Sequence, residues 1–279
     1  MISIFIMYSS DRKQYLEKQI EHMRNMPLYD KCQKILVLDG ELNVDFEELE
    51  VVSLNRGEHF NWSQAWWAGV LAAKHDKILY LDSDRLLPLN YLETIEPLIK
   101  DNKIVYASNM FTLCLWPGKE TVDSFLQMTP DEVREELKDL KDGMILDDTK
   151  FRTPVPRHGK NPMSGNTAFT KDTFIKSGGV DDWYNGHGAF ADSDFFMQMY
   201  QDGVEFIDVE DAVELHFGHT KKDEDGKNIS GRELGLLSLD NFIYYCKKWR
   251  ISKQRPIEVA KSWRIENSDK YVIRRWMSI

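Results

Sequence analysis

The stretch Lys77-Ile78-Leu79-Tyr80-Leu81-Asp82-Ser83-Asp84 constrains the fold of this chain more than any other. It is an apolar run that ends abruptly in two carboxylates two residues apart. Such a run reads as a buried strand. The interior of a parallel sheet does not tolerate an unpaired carboxylate, because burying an isolated charge is too costly. Asp82 and Asp84 therefore belong at the C-terminal end of the strand, the edge at which open α/β sheets bind ligands. Alternation along an extended chain sends both side chains the same way. Two carboxylates so placed repel unless a cation sits between them, and hard oxygen ligands suit Mg²⁺ or Mn²⁺. Taken alone, the tripeptide is equally well a strand end running into an Asp-rich turn.

The flanking sequence supplies the rest of a sheet. Residues 2–8 read as a first buried strand, and 11–25 as an amphipathic helix that stops before Pro27. Strands are expected at 35–38 and 51–54, a Trp- and Ala-rich helix at 61–75, a helix at 88–100 and a strand at 104–107. This order argues for a mostly parallel sheet with helices on both faces. Thr129-Pro130-Asp131-Glu132 begins a charged helix with Pro at its first position and an acidic residue at the capping-box position. Residues 142–163 are rich in Gly, Pro, Asp, Lys and Arg and are expected to form a long loop, either a lid or a surface insertion. Beyond it, 166–170 reads as a strand, 171–177 and 191–202 as helices, 204–207 and 212–215 as strands, and 231–250 as a long helix.

With 42% hydrophobic residues among 279, the chain can bury a sizeable core. Its net charge of −10 is not that of a protein that wraps nucleic acid by charge. An acidic chain can still hold anionic phosphates where a metal supplies the positive charge. Cys32, Cys114 and Cys246 form no CxxC pair and no disulfide framework, which fits a reducing compartment. The apolar N-terminus lacks the basic start of a signal peptide, and no apolar run is long enough to cross a membrane. A cytoplasmic location is expected.

Two further groups carry candidate chemistry. Gly178-Gly179-Val180-Asp181-Asp182-Trp183, Gly186-His187-Gly188 and Asp192-Ser193-Asp194 make a glycine- and aromatic-rich loop leading into a carboxylate at a helix start. A carboxylate there suits a general base acting on a ligand hydroxyl, and equally an N-cap. His216-Phe217-Gly218-His219 ends a strand. Two His three apart can both face a metal, or one can ligate while the other orients it.

Together, "FNWSQAWWAGVLAAKHDKILYLDSD", "SGNTAFTKDTFIKSGGVDDWYNGHGAFADSDF" and "ELHFGHTKKDE" carry a resemblance. The chain resembles inverting nucleotide-sugar glycosyltransferases of the GT-A fold, in the family-2 and galactosyltransferase-like group. The likeness covers about residues 1–110 and 164–245. It implies an α/β, Rossmann-like GT-A architecture: a mixed, mostly parallel sheet flanked by helices, with a middle insertion and a helical C-terminal tail. The glycosyltransferase domain would be 1–250, with a donor half at 1–110, a lid or insertion at 111–163 and an acceptor and catalytic half at 164–250. A basic, Trp-containing tail would follow at 251–279.

The resemblance also implies site residues. Asp82-Ser83-Asp84 stands where the family has its DxD motif, with Asp84 ligating a metal that bridges the donor's phosphates and Asp82 facing its ribose or sugar. Asp39 would contact the base, and the segment from Ser9 to Arg12 the nucleoside. Asn61 is retained on the helix before the DxD strand, although its usual Asn neighbour is replaced near Trp66-Trp67. Asp192 would be the general base, with Asp194 as the fallback because Ala191 stands where the family has Glu. His219 and His216 would join Asp84 on Mn²⁺ or Mg²⁺. Gly179, Asp181, Asp182, Trp183 and Tyr184 would form the acceptor side.

The implied activity is metal-dependent, hexosyltransferase-like transfer of a sugar from a nucleotide-sugar donor, a UDP-sugar above all, to an acceptor hydroxyl with inversion. The acceptor would be a glycan, a lipid-linked sugar or a protein. One alternative is nucleotidyl transfer to a sugar phosphate, for which the loop Ser9-Ser10-Asp11-Arg12-Lys13 lacks the expected glycines. Another is a non-catalytic carbohydrate- or partner-binding protein, which Ala191 favours. Residues 247–279 hold ten Lys/Arg against three Asp/Glu, with Trp249, Trp263 and Trp276 interspersed. They suit either peripheral contact with an anionic membrane or a helix packing its aromatics on the domain.

Overall fold

A computed structural model describes residues 1–9, 12–39, 45–54, 62–113, 119–139, 145–149, 165–184, 190–217, 231–262 and 267–279. The chain divides into two compact units. The first comprises 1–55, 65–179 and 196–219, and the second 56–64, 180–195 and 220–279.

The first unit is built on β1 (Ile2–Ser9), β2 (Gln33–Asp39), β3 (Glu50–Ser53) and β4 (Lys77–Asp82). They are joined by α1 (Lys13–Met23) and α2 (Trp62–Ala72). All four strands run parallel, in the spatial order β3-β2-β1-β4. The order of these elements agrees with the expectation from sequence. After β5 (Arg85–Leu86) comes α3 (Tyr91–Ile95), shorter than the helix expected over 88–100. Pro97 accounts for the difference: it has no N–H to continue the helical ladder, although Glu96 before it keeps helical angles. Next come β6 (Lys103–Tyr106) and β7 (Asn109–Leu113), then α4 (Lys119–Phe125), α5 (Pro130–Asp139) and β8 (Ile145–Thr149). They are followed by β9 (Asn166–Thr170), α6 (Lys171–Lys176), α7 (Ala191–Gln201), β10 (Glu205–Asp208) and β11 (Val213–Phe217).

The main sheet has seven strands in the order β10-β6-β9-β4-β1-β2-β3. Only β9 runs against its neighbours, pairing antiparallel with both β4 and β6. Both faces are buried. On one, Ile4, Ile6, Leu36, Leu79 and Val105 pack with Leu16 and Ile20 of α1 and Leu92 and Ile95 of α3. On the other, Trp66 of α2 lies against Phe5, Tyr80, Phe169 and Phe174.

A second sheet, of order β5-β11-β7-β8, has no counterpart in the sequence reading. It draws Phe111 and residues 145–149 out of the stretch expected to be a lid and puts them in regular pairing. Its partner helix α5 opens on the expected capping box. Thr129 donates from its backbone N–H and its hydroxyl to Glu132, both at 2.8 Å. The strand expected over 212–215 extends through Phe217 and takes His216 into the sheet.

The second unit is helical. Leu239 and Ile243 of α8 (Gly231–Lys248) pack on Ile257 and Ala260 of α9 (Gln254–Ser262) and on Val272 of α10 (Ser268–Ser278). The tail aromatics serve this interior. Trp276 lies against that cluster and accepts at its carbonyl from Lys247 at 3.0 Å, and Tyr271 donates to Asp240 at 2.8 Å. Trp263 lies outside the described residues. No helix among them is long and apolar enough to cross a membrane.

Candidate active site

The turn Asp82-Ser83-Asp84 is the joint between the two sheets of the first unit. Asp82 ends β4, opposite Met7 of β1, and its N–H donates to the Gly165 carbonyl at 3.0 Å. Three residues later Arg85 enters β5 and pairs with His216 of β11, while the Phe217 N–H donates to the Asp84 carbonyl at 3.0 Å. Helix α1 fixes the turn from below. The Gln19 amide donates to the carbonyls of Asp82 and Arg85, each at 2.7 Å, and His22 Nε2 meets the Leu87 carbonyl at 2.8 Å.

Asp82, Ser83 and Asp84 are all buried, so their charges need partners. The cation between the two carboxylates is a guanidinium. Arg85 Nη2 stands 3.2 Å from Asp82 Oδ2, and Arg85 Nε 3.5 Å from Asp84 Oδ1. Tyr80 donates to Asp82 from two residues back on the same face. Arg85 Nη1 reaches on to Glu214 of β11 at 2.7 Å, and the Asn166 amide donates to the other Glu214 oxygen. Burial, above all, pushes the Glu214 carboxyl up to about 7, against the pull of Arg85. Burial also works against the Arg85 charge, yet Glu214, Asp82 and Asp84 together hold it on more firmly than usual. We assign the ionised pair, because Glu214 receives two separate donors. Asp84 Oδ2 takes Arg12 Nη1 at 2.7 Å and lies 3.6 Å from His216 Nε2. Burial and then the Arg85 charge hold the His216 imidazole below its ordinary pKa, despite Asp84. Its ring is therefore neutral near pH 7, the state that binds a metal.

Among the described residues no three His, Cys, Asp or Glu side chains are grouped to hold a metal ion. Asp84 and His216 are the pair that fits one: a carboxylate and a neutral imidazole within reach of a common point. His219 and Asn61 lie outside the described residues. Ser9 and Asp39 face each other in register at the C-terminal ends of β1 and β2, although only the backbone of Asp39 is described. Gly179 has a structural reason to be glycine. Its φ is +65°, and a Cβ there would stand 2.5 Å from the Trp67 ring.

The second unit gathers the remaining candidates. Asp194 is fully buried and accepts from Lys248 Nζ and Trp249 Nε1, both at 2.6 Å. Burial raises its carboxyl pKa, and Lys248 and Trp249 pull it back. Lys248 also donates to Asp181 at 2.8 Å, and Tyr244 to the same Asp181 oxygen at 2.9 Å. Trp183 stacks on Tyr244 with ring centres 4.5 Å apart and keeps 37% of its surface exposed. Tyr184 is buried, edge-on to the same Tyr244 ring. Ser63 donates to Asp182 at 2.7 Å. Asp192, in the first turn of α7, is partly exposed and accepts from the Ser193 N–H at 2.8 Å. Phe190, just before that helix, has φ +73°, a strained value for a bulky residue, and is held by stacking on Phe242 at 4.5 Å.

No family model matches the sequence, and no curated protein matches it either. Solved structures do match the architecture. GalNAc-T7, solved with UDP, GalNAc and Mn²⁺, superposes with a TM-score of 0.58 at 15% identity over 98% of this chain. The S. aureus TarS fragment 1–349 with UDP-GlcNAc superposes at 0.57 and 9% identity over 99% of this chain and 78% of its own length. Its UDP complex gives 0.52 at 10% identity, over 94% and 70%.

The chain has the GT-A fold. It spans 56% of the length of the GalNAc-T7 structure. Within the GT-A frame, sequence reasoning missed Arg85, Glu214, Asn166, Lys248 and Trp249. Two of these left a signal. Glu214 is the one acidic residue in the apolar run Ala212 to Phe217, and Asn166 opens a strand although Asn disfavours strands. Each is a polar group that burial obliges to find a partner.

Proposed function

We propose that the chain is a glycosyltransferase that moves a sugar from a nucleotide-sugar donor, a UDP-sugar above all, to an acceptor hydroxyl with inversion. The observation that carries this reading is the GT-A fold with a buried carboxylate, Asp84, beside a neutral imidazole, His216, at the end of β4. Asp84 and His216 would hold Mn²⁺ or Mg²⁺, with His219 as a further ligand. The bound ion would offset the charge that develops on the leaving nucleoside diphosphate.

Ser9, Arg12, Asp39, Asn61, Asp82 and Ser83 are assigned to the donor. Asp192 is assigned as base: its carboxylate takes the acceptor hydroxyl proton as the oxygen attacks the anomeric carbon and the bond to the diphosphate breaks. Its partial exposure favours it over Asp194, whose oxygens are committed to Lys248 and Trp249. Gly179, Asp181, Asp182, Trp183 and Tyr184 are assigned to the acceptor. The half-exposed Trp183 ring, backed by Tyr244, offers the flat apolar face that a pyranose stacks on. Membrane contact by the described part of the tail would rest on Ile273 and Met277, exposed one turn apart on α10 beside Lys270 and Arg274, rather than on Trp249 and Trp276.

Release of UDP from a panel of UDP-sugars with Mn²⁺ tests the reading. Slow hydrolysis of one donor, accelerated by an acceptor, is expected. No release and no thermal stabilisation by any nucleotide-sugar would refute it.

A further inference from the structure

Asp84 raises an electrostatic question. Its side chain is 1% exposed, and a carboxylate so buried needs a counter-charge in the empty protein as much as in the loaded one. Arg85 is divided between Glu214 and Asp82, and its Nε stays 3.5 Å from Asp84 Oδ1. The close contact to Asp84 comes from Arg12, at the start of α1, at 2.7 Å. That contact falls on Oδ2, the same oxygen that His216 Nε2 approaches at 3.6 Å. Arg12 is also lightly held. Its side chain is 24% exposed, and its Nε bonds nothing among the described residues.

We infer that Arg12 is a displaceable counter-ion: it holds Asp84 while the site is empty and must swing away for a divalent cation to take its place. The inference rests on the proposed function, because it takes Asp84 as a metal ligand. Two consequences follow. Metal entering alone pays to break the Arg12–Asp84 pair. Metal entering with a nucleoside diphosphate does not, because the freed guanidinium gains an anionic partner, and Arg binds phosphate well. Arg12 thus couples cation and nucleotide binding, each strengthening the other by the same factor.

Mn²⁺ titrations read by electron paramagnetic resonance, with and without UDP, test this directly. Arg12→Gln should bind Mn²⁺ alone about tenfold more tightly than the native protein, as removal of a competing ion pair predicts. It should also lose most of the gain that UDP confers. Asp84→Asn added to Arg12→Gln should abolish the new affinity, and Arg12→Lys should restore competition. In the native protein, saturating Mn²⁺ should speed modification of Arg12 by phenylglyoxal, read by peptide mass spectrometry. Equal Mn²⁺ affinity of the native protein and Arg12→Gln, or an unchanged modification rate, overturns the role of Arg12. If the native protein still binds Mn²⁺ with UDP in that case, the functional reading stands. If it binds none with UDP, that reading falls as well.

Discussion

Arg85 Nη1 and Glu214 Oε1 meet at 2.7 Å in a pair whose side chains are 6% and 0% exposed. They tie β5 to β11 across the second sheet, and the same guanidinium reaches Asp82 and Asp84. The acidic motif is therefore shaped from behind, by groups that need not touch a ligand.

Breaking that pair from one side should be costly. Glu214→Ala leaves Arg85 charged, buried and short of its partner, and should lower stability by about 3–5 kcal/mol. Glu214→Gln, which keeps an acceptor, should lose less. Urea unfolding of the three proteins measures the difference, and a loss under about 1 kcal/mol for the alanine variant would mean that the pair is dispensable.

Gly165 guards the same guanidinium. A Cβ at this position would stand 2.3 Å from Arg85 Cζ and 2.5 Å from Nε. Gly165→Ala must push the side chain off its partners and should cost about 1–3 kcal/mol, as overpacking does. Weaker UDP binding by calorimetry should accompany the lower melting temperature.

Asp192→Asn keeps the shape of the α7 first turn and removes the base. Its kcat should fall by about 10²–10⁴ while the affinity for UDP stays as it was. Full turnover in this variant would move the base elsewhere.

Acid should reach the second unit through Asp181. Burial opposes ionisation of this carboxyl, but hydrogen bonds from Lys248, the Trp183 N–H and Tyr244 hold it below its ordinary range. A depressed carboxylate stabilises above its unfolded pKa, about 3.9, and loses that contribution as pH falls through its folded value. Asp181→Asn should therefore cost about 1–2 kcal/mol at pH 7. The two proteins should converge as the pH drops below about 3.9, followed by tryptophan fluorescence during denaturation.

The central strands and the acidic motif were legible because burial writes itself into composition. An apolar run that stops at Asp82 has one place to stop. The second sheet was not legible, because β5 is two residues long and its pairing with β11 joins residues about 130 apart in sequence, contacts that no local period encodes. Arg85 has no feature in the sequence that marks it, yet it supplies the cation that the spacing of Asp82 and Asp84 requires. Trp249 and Trp276 left two readings open, membrane contact or packing on the domain, because what holds them lies outside any local period: Asp194, which accepts from the Trp249 ring, and the cluster of Leu239, Ile243 and Ile257 beside Trp276.

The antiparallel course of β9 has a consequence for how such a protein diversifies. Every parallel strand leaves the sheet at the rim where Asp82 sits, but β9 starts there, with Asn166 beside Ala107 and Glu214. Residues can thus be gained or lost ahead of Gly165 without shifting a single strand register. New preferences for what is recognised at that rim can arise by changing the length of one connection, while the pairing behind it stays fixed.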